Sequence, residues 1–217
     1  MSFDYVVSLG GACQVAYQLR RTFNFGTAFP FDWCVTNFLG VMDALDPAKD
    51  PYADLEEVLT PEGQIAHIRK TDHNVELPHD FPRGDDRYVV PNWREHVGTA
   101  RSRFGYLRTR LLGLKSSRIL FVRHKGNSII TAPTTNAASL GDLVGFVGGI
   151  FPRSRFMMIN VPEPHSSLDV MTLPSHDDSI TSRWRDNHEA WKHALSGFKL
   201  ENPTLAPFVE KAHWGIW

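Results

Sequence analysis

Cys13 is the residue whose surroundings in sequence look most like those of a reactive group. An apolar run of strand type, Val6-Val7-Ser8-Leu9, meets Gly10 and Gly11, and a helical pattern from Gln14 to Arg20 begins beside the thiol. A helix start carries unpaired backbone N–H groups and the positive end of the macrodipole. Both favour thiolate over thiol, and the same N–H groups are ready donors to an oxyanion. The turn by itself leaves a second reading open, because free cysteines are among the most buried residue types and strand-Gly-helix turns recur in α/β proteins.

A thiol that attacks near neutral pH needs a base, and the base needs an orienting group. Leu77-Pro78-His79-Asp80-Phe81-Pro82 offers His79 in a stretch held by two prolines and an aromatic residue. Neighbours on an extended segment point to opposite faces, so Asp80 is one candidate to orient His79 and Asp32 of Pro30-Phe31-Asp32-Trp33 is another. Backbone N–H groups from Gly10 and Gly11 to Cys13, with Ser8, are the candidate oxyanion donors, and Trp33 and Arg123 are candidates for holding substrate.

Ser8-Leu9-Gly10-x-x-Cys13 with Gln14 to Arg20, Pro30-Phe31-Asp32-Trp33, His79-Asp80-Phe81 and the Leu120-Phe121-Val122-Arg123 strand resemble, in that order over roughly residues 4–125, the papain-like cysteine peptidase family also known as domain of unknown function 1796. The resemblance implies Cys13 as nucleophile, His79 as its partner and hydrolysis of an acyl, peptide or amide bond. Gly11-Ala12 stands before the cysteine where papain itself has a glutamine-containing run, so the oxyanion donors fall to the backbone. Gly11-Ala12-Cys13-Gln14 after a first strand is more distantly similar to a coenzyme A-binding capsule-polysaccharide acyltransferase family, which implies acyl transfer or thioester hydrolysis by the same thiol. Arg101, Arg103, Arg108 and Arg110, with Arg123 and Lys125, would then receive phosphates, although an ordinary solvated helix face is the commoner reading of such a stripe. Glu210-x-x-His213 resembles the end of lipase-like hydrolases of flavodoxin type, whose Gly-Asp-Ser signature is absent here, and makes His213 a reserve base.

The elements that must position these groups follow from periodicity. Strands are expected near 4–9, 118–123 and 156–161, and helices over 13–21, 37–45, 52–59, 93–112, around 140–151 and around 185–195. Residues 60–91 have weak periodicity and read as the least regular part. This order predicts one α/β domain over 1–217 with a mainly parallel sheet covered by helices and the nucleophile at the first strand-to-helix turn. A parallel sheet differs from the antiparallel sheet of papain, so papain-like chemistry is expected on a different frame.

With 217 residues, 42% of them hydrophobic and a formal net charge of −1, the chain can bury a substantial core and has no global attraction to nucleic acid or anionic membranes. Two cysteines do not make a disulfide framework, and no signal-type or membrane-spanning run is present, so a cytoplasmic protein with reduced thiols is expected. His176-Asp177-Asp178 and the His188 and His193 pair lack metal-ligand spacing, and neither a metal nor a cofactor is expected, coenzyme A being the one implied under acyl transfer. The partner is a small-molecule, peptide or acyl substrate that the sequence does not specify.

Overall fold

Buried apolar runs separated by helices pair in parallel here, and short alternating runs pair antiparallel. The computed structural model describes residues 1–72, 74–124, 138–159, 170–173, 188–202 and 207–208. In chain order the elements are β1 (Ser2–Phe3), β2 (Tyr5–Ser8), α1 (Cys13–Phe23), β3 (Val35–Thr36), α2 (Phe38–Leu45), β4 (Leu55–Leu59), β5 (Ile65–Lys70) and β6 (Val75–Leu77). A 3₁₀ turn (Trp93–His96) then runs into α3 (Val97–Leu112), followed by β7 (Ile119–His124), α4 (Leu140–Ile150), β8 (Arg155–Ile159), β9 (Val170–Leu173), α5 (His188–Ala194) and β10 (Lys199–Leu200).

The three strands expected from sequence lie side by side in the order β2-β7-β8, all parallel, and β9 extends the sheet as a fourth strand. Every residue of β7 is buried, as a central strand covered on both faces must be. The end of the third expected strand, residues 160–161, lies outside the described residues, as does the loop 125–137. A two-residue parallel pairing of β1 with β10 ties the start of the chain to residues 199–200.

A second four-stranded sheet, ordered β3-β6-β5-β4 and antiparallel throughout, corrects two expectations. Residues 55–59 form a strand where a helix is expected, and 60–91, expected to be irregular, supplies β5 and β6. Leu55-Glu56-Glu57-Val58-Leu59 contains good helix formers, but pairing with β5, with Arg69 Nε donating to Glu56 Oε1 at 2.7 Å, outweighs that preference. Among the described residues the molecule is therefore mixed α/β with two four-stranded sheets, one parallel and one antiparallel, beside the β1–β10 pair.

Among the helices, α2 begins where Asn37 accepts from the Gly40 N–H at 2.7 Å, and Asn37 Nδ2 also donates to Asn74 Oδ1 at 2.5 Å. That side chain thus fixes a helix start against the strand that leads to His79. The long helix expected over 93–112 is present and buries Ala100, Phe104 and Leu111. Phe104 packs edge-on to Phe31, which carries the Pro30-Phe31-Asp32-Trp33 loop onto the same core. No helix among the described residues is long and apolar enough to cross a membrane.

Candidate active site

The path into Cys13 is set by sterics. Gly10 and Gly11 have φ of +73° and +85°, a region that side chains other than glycine rarely adopt. A Cβ on Gly10 would lie 2.6 Å from Thr36 Oγ1, and one on Gly11 would lie 2.4 Å from the His124 carbonyl oxygen. The turn is squeezed between β3 and β7. Gly11→Ala is expected to cost about 3 kcal/mol in urea melts, from the φ penalty and the backbone clash together. A loss under half that value would mean that the turn can shift without strain.

Arg123 holds the same turn from below. Its Nη1 donates to the Leu9 carbonyl oxygen and, at 3.0 Å, to Thr36 Oγ1; its Nη2 donates to the Thr36 carbonyl oxygen, and the guanidinium lies 5.0 Å from the centroid of the Phe38 ring. Only 2% of Arg123 is exposed, and burial pulls its pKa down to about 10. As placed here it clamps backbone. Ser8, also buried, accepts the Gly10 N–H on its hydroxyl at 3.2 Å.

Cys13 is the first residue of α1, half-buried, and the preceding Ala12 offers no side-chain acceptor to the first-turn N–H groups. The Cys13 N–H reaches its own sulfur and favours the thiolate, but burial outweighs it and pushes the thiol up to about 12, with the Asp80 and Asp32 carboxylates adding to the rise. At rest Cys13 is a thiol. Residues 4–73 match the family model described as "Putative papain-like cysteine peptidase (DUF1796)". The segment matched to the papain-like family holds β2, the glycine turn, Cys13, α1 and the Asp32-Trp33 loop, about a third of the chain. His79 lies beyond the matched residues, and Cys13 is not among the residues that line its cleft. Nothing matches among curated proteins or solved structures.

His79 follows β6 after Pro78 and lines a cleft together with Trp33, Cys34, Tyr52, Asp80 and Arg103, walled by Phe29, Phe104 and Leu107. Its ring meets Trp33 edge-on, with centroids 6.0 Å apart at 79°. Burial, assisted by the charge of Arg83, brings the imidazole down to about 4, so it is neutral across the physiological range.

Neither candidate carboxylate bonds the His79 ring. Asp32, 2% exposed, accepts from Arg20 and, at 2.8 Å, from the Phe29 N–H. Arg20 in turn lies 5.3 Å from the Trp33 ring centroid, so Asp32 acts on the cleft through the wall that His79 touches. Asp80 accepts from Arg103 and from the Tyr52 hydroxyl across the cleft. Tyr52 and Cys34 are cleft residues that sequence patterns missed, and Arg103, expected to receive phosphate, instead pairs with Asp80 in the cleft. A buried carboxylate demands a counter-ion, but nothing in the spacing says which arginine supplies it.

The arginine stripe of α3 is engaged within the molecule. Arg101 pairs with Asp50 at 2.9 Å and Arg103 with Asp80, Arg108 donates to the Ala44, Asp46 and Lys49 carbonyls, and Arg110 donates to the Ala28 carbonyl at 3.1 Å. These contacts give a phosphate-receiving face no support. Lys125, Glu210 and the reserve base His213 lie outside the described residues, as do His176, Asp177 and Asp178.

Proposed function

We propose that this protein is a cysteine-dependent hydrolase acting by papain-like Cys–His chemistry on an acyl, peptide or amide bond. The observation that carries the reading is the placement of Cys13 at an uncapped helix start, behind a glycine turn that admits no side chain. The match of residues 4–73 to a cysteine peptidase family agrees with it.

In the proposed reaction Cys13 Sγ forms a bond to the substrate carbonyl carbon as its proton passes to the neutral His79 ring. The carbonyl oxygen becomes an oxyanion held by the first-turn N–H groups of α1. Collapse breaks the bond to the leaving group, which takes the proton from His79 and departs. Water, deprotonated by His79, then attacks the thioester, releasing the acid and restoring the thiol. Apolar walls around the cleft keep bulk water from the imidazole and preserve its basic form.

The test uses p-nitrophenyl acetate and a fluorogenic peptide-amide library with the intact chain. Cys13→Ala and His79→Ala are each expected to lower turnover by about 10³-fold or more, with an acyl adduct on Cys13 detected by mass spectrometry after quenching. Turnover equal to wild type in either variant would overturn the reading.

A further inference from the structure

Among the described residues, every hydrogen bond that Arg83 makes from its side chain goes to a backbone carbonyl. Nη2 donates to the Pro78 oxygen at 2.6 Å and to the Ala66 oxygen at 3.0 Å, and Nη1 donates to the Arg87 oxygen. Ala66 is in β5, and Arg87 is in the turn that returns to a bridge between Arg83 and Val89. One guanidinium therefore joins β5, the exit from β6 and the following turn. The Pro78 carbonyl belongs to the peptide unit that contains the His79 nitrogen, so fixing that oxygen fixes the plane from which the His79 side chain departs. No carboxylate among the described residues pairs with Arg83, and its charge bears on the His79 imidazole.

We propose that Arg83 is the positioning residue of His79: it locks the Pro78–His79 peptide against β5 and sets a cation on the segment that carries the imidazole. The proposal rests on the reading of His79 as general base. It supplies the orienting element that Asp32 and Asp80 do not, since their carboxylates are engaged by Arg20 and Arg103. The other groups facing His79 leave this assignment intact. Trp33 contributes an aromatic edge; Cys34 and Tyr52 are buried and stay protonated; and Asp80 is matched by Arg103 on α3. Arg83 is the cation on the same segment as His79, four residues away.

The test follows the His79 ring by NMR in histidine-labelled protein, assigned with His79→Gln, over pH 4 to 8. Arg83→Met removes charge and fork, and Arg83→Lys keeps the charge but cannot span three carbonyls. The titration midpoint is expected to rise by about one pH unit in Arg83→Met and to stay close to wild type in Arg83→Lys. Turnover of p-nitrophenyl acetate is expected to fall about tenfold in Arg83→Lys through kcat with KM unchanged. If Arg83→Met does not fold, Arg83→Gln, which retains a donor for Pro78, takes its place with the same expected rise.

An unchanged midpoint in the folded neutral variant overturns the proposal. Equal rises in the neutral and lysine variants also overturn it, because they would report loosening of the loop alone. The midpoint is read whether or not substrate turns over, so an Arg83-dependent titration in a protein without Cys13-dependent hydrolysis would reject the function and retain the coupling.

Discussion

Asp32→Ala is expected to lower the unfolding free energy by about 3–5 kcal/mol, a loss read from urea or thermal denaturation. Arg20 and Asp32 are 5% and 2% exposed, and the carboxylate also accepts the Phe29 N–H. Truncation leaves a guanidinium buried without its counter-charge and an amide without its acceptor. Arg20 Nε is already buried without a partner, so there is no spare acceptor to take over. The double variant Arg20→Met, Asp32→Leu is expected to be less destabilised than either single truncation, because it removes both charges and fills the space with apolar atoms. A loss under about 1 kcal/mol in Asp32→Ala would sink the structural assignment and return Asp32 to the role of a group acting directly on His79.

The parts of this fold that were legible in sequence are those with one dominant local signal. Val6-Val7-Ser8-Leu9 ahead of two glycines reads as a strand and a turn; Asn37 before an apolar run reads as a cap; and Val97, Ala100, Phe104 and Leu111 read as one face of a helix. All three are found, and the thiol stands at the first residue of α1 as expected. The antiparallel sheet was not legible, because its strands take their stability from partners distant in sequence. Val35 pairs with Glu76, and the Glu56–Arg69 pair that supports β4 joins residues whose own preferences are helical. The same limit applies to the site. His79 could be singled out from the prolines around it, but Arg83 and Arg103 act through guanidinium bonds to backbone and carboxylate that leave no periodic trace. The helix start at Cys13 was also expected to lower the thiol, and burial reverses that balance.

Alkylation of Cys13 by iodoacetamide, followed by peptide mapping, is expected to be about 100-fold slower at pH 7.5 than that of free cysteine. A thiol near 12 contains about three orders of magnitude less thiolate than a free one at this pH, and the higher nucleophilicity of a more basic thiolate recovers about one of them. The rate is expected to climb about tenfold per pH unit from 7 to 10 with no plateau, since each unit multiplies the thiolate tenfold. His79→Ala is expected to leave this resting rate unchanged at pH 7.5, because an imidazole near 4 carries no charge there that would stabilise a thiolate. Hydrolysis in the same variant is expected to fall, because the base is needed when the proton leaves sulfur during attack. The contrast separates two mechanisms that use the same two residues. A preformed thiolate–imidazolium pair would give a plateau of fast labelling below pH 8 that His79→Ala removes. Such a plateau would overturn the neutral-pair mechanism, whereas an alkaline climb indifferent to His79 places the proton transfer inside the reaction step.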